Sequence, residues 1–405
     1  MSTANALSGR YVIAGIGSTA FGKLGLDTVS LNAMACREAL ADAGICKEEV
    51  DALLLKAPTS ARESLYGQKV ADAMGMQPRW GGAWDQGGAA NVTLIAFAIM
   101  AIEAGQCEVA LVSYADNPRS GAADFFGRPR GAEAPHGWFS AAAWYAMIHQ
   151  RHIIEHATPP EAFGAVAIAA RRHGAANPNA QLRKPITMDD YLASPMQIEP
   201  LHRDDCCLVS DGGGAVVIMS AQRAKDLRVP APVPILGFGG GNTSVELQNR
   251  ACLTTTEAVR SSRLAFDMAG VRPIDVDVAQ IYDCFSVAVL MTLEDYASAT
   301  RAASTTLCGT GRSSSADAFP STRAAACFQK LACLACSLST RVFGKCAARR
   351  RCRCPVRNCA RSATREGRCT RTRLSCSELE VTGCFRNQKS RLRTSPTGMH
   401  CTWAS

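Results

Sequence analysis

A set of eight residues recurs in register at two places in the chain, and this repeat limits the fold more than any bulk property. Arg37, Ala39, Ala43, Gly44, Ile45, Val50, Asp51 and Leu55 have counterparts at the same spacing in Arg263, Ala265, Ala269, Gly270, Val271, Val276, Asp277 and Ile281. In each copy a helix-like stretch stops at an Ala-Gly pair, and an apolar run follows after a short connection. Residues 11–16 and 233–237 hold matching strand-like places upstream of the two copies. Such a pattern implies two similar α/β halves.

The second half is interrupted by a change in composition. Residues 1–300 carry 24 Lys and Arg against 31 Asp and Glu, whereas residues 301–405 carry 20 against 4. Cysteine follows the same division, 7 before and 12 after. A zinc module fits the tail poorly: Cys333 and Cys336 form one C-x2-C pair, no second pair completes it, and His400 is the tail's one histidine. A nucleic-acid arm also fits poorly, because Arg349, Arg350, Arg351 and Arg353 lack interleaved aromatic residues. A shifted reading frame explains the tail better. Re-reading the codons from Phe319 to Leu331 from their third base permits P-(I/L/V)-N-T-G-G-G-L-L-S-E-A, and the same offset permits F-C after Leu293-Glu294-Asp295-Tyr296. The ordinary frame is therefore expected to end near Tyr296.

Residues 10–300 alternate strand-like and helix-like segments. Strands are expected at 11–16, 50–55, 108–113, 214–219, 233–237 and 276–282, and helices at 30–43, 89–104 and 256–269. Residues 115–205 are rich in Pro, His and aromatic residues and form an inserted loop domain. The organisation expected is a first half over 1–230 containing that insertion, the start of a second half over 231–296, and the out-of-frame tail over 297–405. The longest apolar run, 92–102, is well short of the roughly 20 residues of a membrane-spanning helix, and no charged-then-apolar leader opens the chain. A cytoplasmic protein without membrane or nucleic-acid partners is expected.

Three strings carry chemistry. Trp84-Asp85-Gln86-Gly87-Gly88-Ala89-Ala90-Asn91 leads into an apolar helix. Asp205-Cys206-Cys207-Leu208-Val209-Ser210-Asp211-Gly212-Gly213-Gly214-Ala215 reads as an approach and turn before a strand, and Ile281-Tyr282-Asp283-Cys284-Phe285 precedes Leu293-Glu294-Asp295-Tyr296. Together with the duplicated halves, these strings resemble the thiolase superfamily over about residues 10–296. The resemblance is to the thiolase-like branch containing the sterol-carrier-protein thiolases, the lipid-transfer proteins and CoA-ester retro-aldolases. It implies a five-layer αβαβα fold, a homodimer, and a small OB-fold partner with a zinc ribbon.

A thiolase uses a cysteine thiolate at a helix N-terminus. The resemblance places that position on Gly88, which cannot be acylated, while the backbone N–H groups of Ala89 and Ala90 and the Asn91 turn remain able to hold a thioester end. It places Tyr282 where thiolases carry an asparagine that holds an oxyanion-hole water, so Tyr282 is the expected acid/base or oxyanion donor. Asp283 is expected beside it, with helix N-capping as its structural role. Cys284 is assigned to the substrate side, with a buried structural thiol as the competing role. His149, His152 and His156 lack the H-E-x-x-H pattern and read as helix residues, and Arg171, Arg172 and His173 read as a solvated helix end near a plausible CoA path.

The function expected is carbon–carbon cleavage of a CoA thioester by retro-aldol chemistry. Coenzyme A enters as part of the substrate and no tightly bound cofactor is expected. Two rivals stand beside it: a 3-ketoacyl-CoA thiolase or acyltransferase, and a non-catalytic lipid carrier.

Overall fold

The computed structural model describes residues 6–61, 63–121, 135–136, 140–244 and 246–299, all within one compact unit spanning Met1–Ala348. The reading of the tail falls on residues outside these, apart from the helical backbone of 297–299.

The core is a six-stranded mixed sheet. Its strands are β1 (Tyr11–Ser18), β2 (Ala52–Lys56), β3 (Trp80–Trp84), β4 (Val109–Asp116), β7 (Gly212–Ser220) and β8 (Val233–Ile235), in the order β3-β2-β4-β7-β1-β8. β2 runs parallel to both β3 and β4, whereas β4–β7, β7–β1 and β1–β8 are antiparallel. Alternation along β2 divides the core. Leu53 and Leu55 face helices α1 (Thr28–Ala43) and α2 (Tyr66–Met74), while Ala52 and Leu54 face α3 (Ala90–Glu103).

The insertion folds as α4 (Ala141–His156), α5 (Pro160–Ala176), α6 (Met188–Leu192) and a hairpin of β5 (Met196–Ile198) and β6 (Leu201–His202). Its apolar residues Ala146, Ile148, Phe163, Tyr191 and Leu201 share a third core with Cys284, Phe285, Val287, Leu290 and Met291. Those last residues belong to α9 (Ser286–Ala299) and the segment leading into it. α7 (Ala221–Asp226) follows β7, and α8 (Ala258–Ala269) packs beside α9, with Phe266 edge-on to Tyr296 at 6.0 Å.

The helix stops and turns of the repeat are borne out. Gly44 and Gly270 both adopt the left-handed conformation that ends their helices, at φ 70° and 65°. The 3-10 turns Lys47–Glu49 and Pro273–Asp275 then fall at matching positions. The strand–helix approach is repeated as well. A Cβ on Gly15 would lie 2.4 Å from the Ala39 carbonyl oxygen, and one on Gly237 would lie 2.2 Å from that of Ala265. Gly17 on Ala35 and Gly239 on Ser261 repeat the contact one turn away, at 2.2 and 2.1 Å. The glycine-rich 237–241 segment thus serves close packing.

Two expectations are corrected. Residues 276–282 form no ladder with any strand among the described residues, whereas β2 is paired on both edges. Residues 210–213 are not a separate turn: β7 already begins at Gly212, paired with Asp116 of β4.

Candidate active site

The start of α3, which follows the C-terminal end of β3, meets Tyr282. The contact that defines the site is between Gly88 and the Tyr282 ring. A Cβ placed on Gly88 would lie 2.8 Å from Tyr282 Cε1 and 3.1 Å from Cζ. Gly88, Ala89 and Asn91 are exposed and Ala90 is buried; the Ala90 N–H donates to the Gly87 carbonyl at 3.3 Å. The turn before the helix is closed by Asp85, whose Oδ1 accepts from the Gly87 N–H at 3.0 Å, and by Gln86, which donates to Asn242 at 2.6 Å.

Tyr282 is 65% exposed, yet partial burial and the neighbouring Cys284, Cys207 and Asp283 push its phenol up to about 12. It is a neutral hydroxyl at pH 7. Asp283 also rises above the usual carboxylate range through desolvation. Asp283 is not an N-cap, because α9 begins three residues later at Ser286. Cys284 is buried, and its thiol is pushed up to about 12, which makes it a poor nucleophile.

The Tyr282 segment is held by the second string. The Cys207 N–H donates to the Cys284 carbonyl at 3.0 Å, with Cys206 and Phe285 bridged antiparallel beside it. Phe285 stacks on Tyr145 of α4 at 4.3 Å. The buried Asp205 carboxylate accepts from the Ser286 hydroxyl, from Tyr191 Oη at 3.0 Å and from the His202 N–H at 2.8 Å. It ties α9, the insertion and the Asp205 string together. Asp211, the other acid of that string, accepts from the N–H groups of Leu24 and Arg119, both at 2.8 Å, and Ser120 at 3.0 Å, and anchors the end of β4.

Three residues toward the C-terminal ends of β2 and β4 were not singled out from sequence. The Lys56 side chain is 4% exposed; its Nζ donates to the Ala57 carbonyl at 3.0 Å and lies 4.3 Å from the centroid of the Tyr114 ring. Tyr114 donates to Asp116 at 2.9 Å. Burial alone would raise the Asp116 carboxyl, but hydrogen bonds from Ser60 and Thr59 bring it below the usual range. The signal available in sequence was a lysine and an aspartate closing otherwise apolar runs. His149 and His152 of the insertion are buried. Both His152 nitrogens are engaged, by Glu294 at 2.9 Å and Thr158 at 2.8 Å, and His149 lies against Phe163.

The family described as thiolase C-terminal domain-like matches residues 239–323. A steroid side-chain-cleaving aldolase of Thermomonospora curvata is 34% identical over 311 residues, covering 71% of this chain and 78% of the relative. The 17-hydroxy-3-oxo-4-pregnene-20-carboxyl-CoA lyase of Mycobacterium tuberculosis is 34% identical over 309 residues, covering 71% and 79%. Among solved structures, an Ltp2-ChsH2(DUF35) aldolase superposes with a TM-score of 0.63 at 34% identity, over 72% of this chain and 77% of that one. A shared sequence of this extent, on a shared fold, places the chain in the thiolase superfamily, in its thiolase-like, sterol-carrier-protein-thiolase branch.

Proposed function

We propose that the protein is a CoA-thioester lyase that cleaves a carbon–carbon bond by retro-aldol chemistry, on a side chain bearing a hydroxyl β to the thioester carbonyl. The observation that carries this reading is the Tyr282 ring lying on Gly88, where a thiolase would need a side chain. In the reaction the hydroxyl loses its proton and its C–O bond becomes C=O. The bond to the α-carbon breaks, its electron pair enters the thioester as an enolate, and a proton returns to give the shortened acyl-CoA. Tyr282, neutral at pH 7, is the hydrogen-bond and proton donor to the thioester end. Asp283, with its raised affinity for protons, takes the hydroxyl proton. The thioester end lies at the start of α3, over Gly88, Ala89, Ala90 and Asn91.

The names of the two relatives support a steroid side chain as the substrate class, and the two-component name of the structural neighbour supports a second protein as partner, for which the family resemblance implies a small OB-fold with a zinc ribbon. A homodimer and a cytoplasmic location belong to the same reading. Among the described residues no helix is long and apolar enough to cross a membrane.

The test is incubation of the 405-residue chain, alone and with such a partner, with 17-hydroxy-3-oxo-4-pregnene-20-carboxyl-CoA. A ketone and a shortened acyl-CoA are expected, with Tyr282→Phe at least about 100-fold slower and acyl-CoA binding retained. Thiolysis of a 3-ketoacyl-CoA by added CoA would overturn the reading. A Tyr282→Phe variant that loses nothing would favour the carrier.

A further inference from the structure

Lys56 is a costly residue in its place. Its ammonium is taken out of water at the C-terminal end of β2, on the face of the sheet covered by α3. The carboxylate within ion-pair distance is that of Asp85, at 3.9 Å, and it is 63% exposed. Burial accordingly pulls the Lys56 affinity for its proton down, against the opposing pull of Asp85 and Asp116. An apolar residue of similar length would fit the site without this cost.

The ion pair has a direction. The Asp85 Oδ1 that faces Lys56 also accepts the Gly87 N–H, closing the turn that sets Gly88 against Tyr282. On its other side Lys56 is held over the Tyr114 ring, which is fixed by Asp116 and, through it, by Thr59 and Ser60. A rigid base therefore carries one positive charge to one oxygen of the turn.

We propose that Lys56 is a positioning residue of the active site, which acts through Asp85 to hold the Gly87–Gly88 turn against Tyr282 at the expense of fold stability. This rests on the lyase reading for its effect on rate, but not for its effect on the turn.

The experiment compares the unaltered chain with Lys56→Met, Asp85→Asn and the double variant. Three quantities are measured: the thermal midpoint, steady-state cleavage of 17-hydroxy-3-oxo-4-pregnene-20-carboxyl-CoA, and the 15N shift of the Gly87 amide in glycine-labelled protein. Lys56→Met is expected to keep or raise the midpoint, since the exposed Asp85 is not stranded by the change. It should lower kcat at least about tenfold with KM changed less than about threefold. It should move the Gly87 amide as Asp85→Asn does, and the double variant should be no worse than the worse single one. A lowered midpoint with an unmoved Gly87 amide, or losses that add in the double variant, overturns the proposal and leaves Lys56 as packing. If the unaltered chain cleaves no thioester, the lyase reading fails, and the Gly87 shift and the midpoint still decide the role of Lys56.

Discussion

The two copies of the repeat share their sequence signature, their helix stops and their 3-10 turns, yet one ends in a central strand and the other does not. After Val50 the chain enters β2, flanked by β3 and β4. After Val276 it reaches Tyr282 without pairing to any strand among the described residues. The same local pattern therefore gives different structures according to what stands beside it. A strand is a property of its pairing, whereas a helix with a glycine stop is largely a property of its own sequence.

Matched substitutions in the two copies sharpen this contrast. The largest effect is expected from the close strand–helix approaches. Gly17→Ala would drive a methyl from β1 into the α1 backbone and cost roughly 3 kcal/mol or more. Gly239→Ala collides as closely but affects only the docking of α8, so about 1 kcal/mol in denaturant melts is expected, with hydrogen-exchange protection lost in α8 alone. Equal global losses would break the comparison.

Next come the paired apolar positions. Leu55→Ala removes a fully buried side chain and should cost about 2–5 kcal/mol, whereas Ile281→Ala, at a half-buried site without a ladder, should cost less than about 1 kcal/mol. Chemical denaturation of the two variants measures this directly. The paired acids differ for a similar reason. Asp51 accepts from the N–H groups of Glu108 and Val109 at 3.0 and 2.9 Å and pairs with Arg79 at 2.7 Å. Asp51→Ala should cost about 1–2 kcal/mol, with Asp277→Ala near neutral.

The smallest effect is one of sign. Asp27 caps α1, and its bonds to the Ser30 N–H and hydroxyl hold its carboxyl below 3.8. Its contribution is present above 3.8 and is lost as pH falls through the lower folded value. Asp295 meets the start of the α8 segment through Thr256, but burial raises its carboxyl to about 6. Its contribution is fully present below 3.8 and is lost as pH rises through about 6. Thermal melts between pH 3 and 7 should therefore show Asp27→Asn and Asp295→Asn departing from the unaltered chain in opposite directions.

Much of this was legible in the sequence. The Ala-Gly stops and apolar spacing gave α1, α3 and α8 nearly to the residue, and the motifs around Gly88, Asp205 and Tyr282 turned out to be neighbours. What escaped were features decided by distant contacts. β3 was missed because Gly81 and Gly82 suppress its strand character; it forms because Leu53 to Lys56 of β2 offer an edge to pair with. Asp283 looked like a cap because the motif was placed one turn too close to α9. Lys56 lay one residue beyond the strand expected at 50–55, and nothing in Ala52 to Leu55 announced that its side chain would be buried beside Asp85 and Tyr114.

The contact between Gly88 and Tyr282 also has an evolutionary consequence. With the phenol ring 2.8 Å from where any Cβ would stand, a side chain at position 88 is admitted only if the exposed Tyr282 ring swings aside. The two positions therefore vary as a pair: a change at one is felt at the other before it is felt anywhere else in the chain.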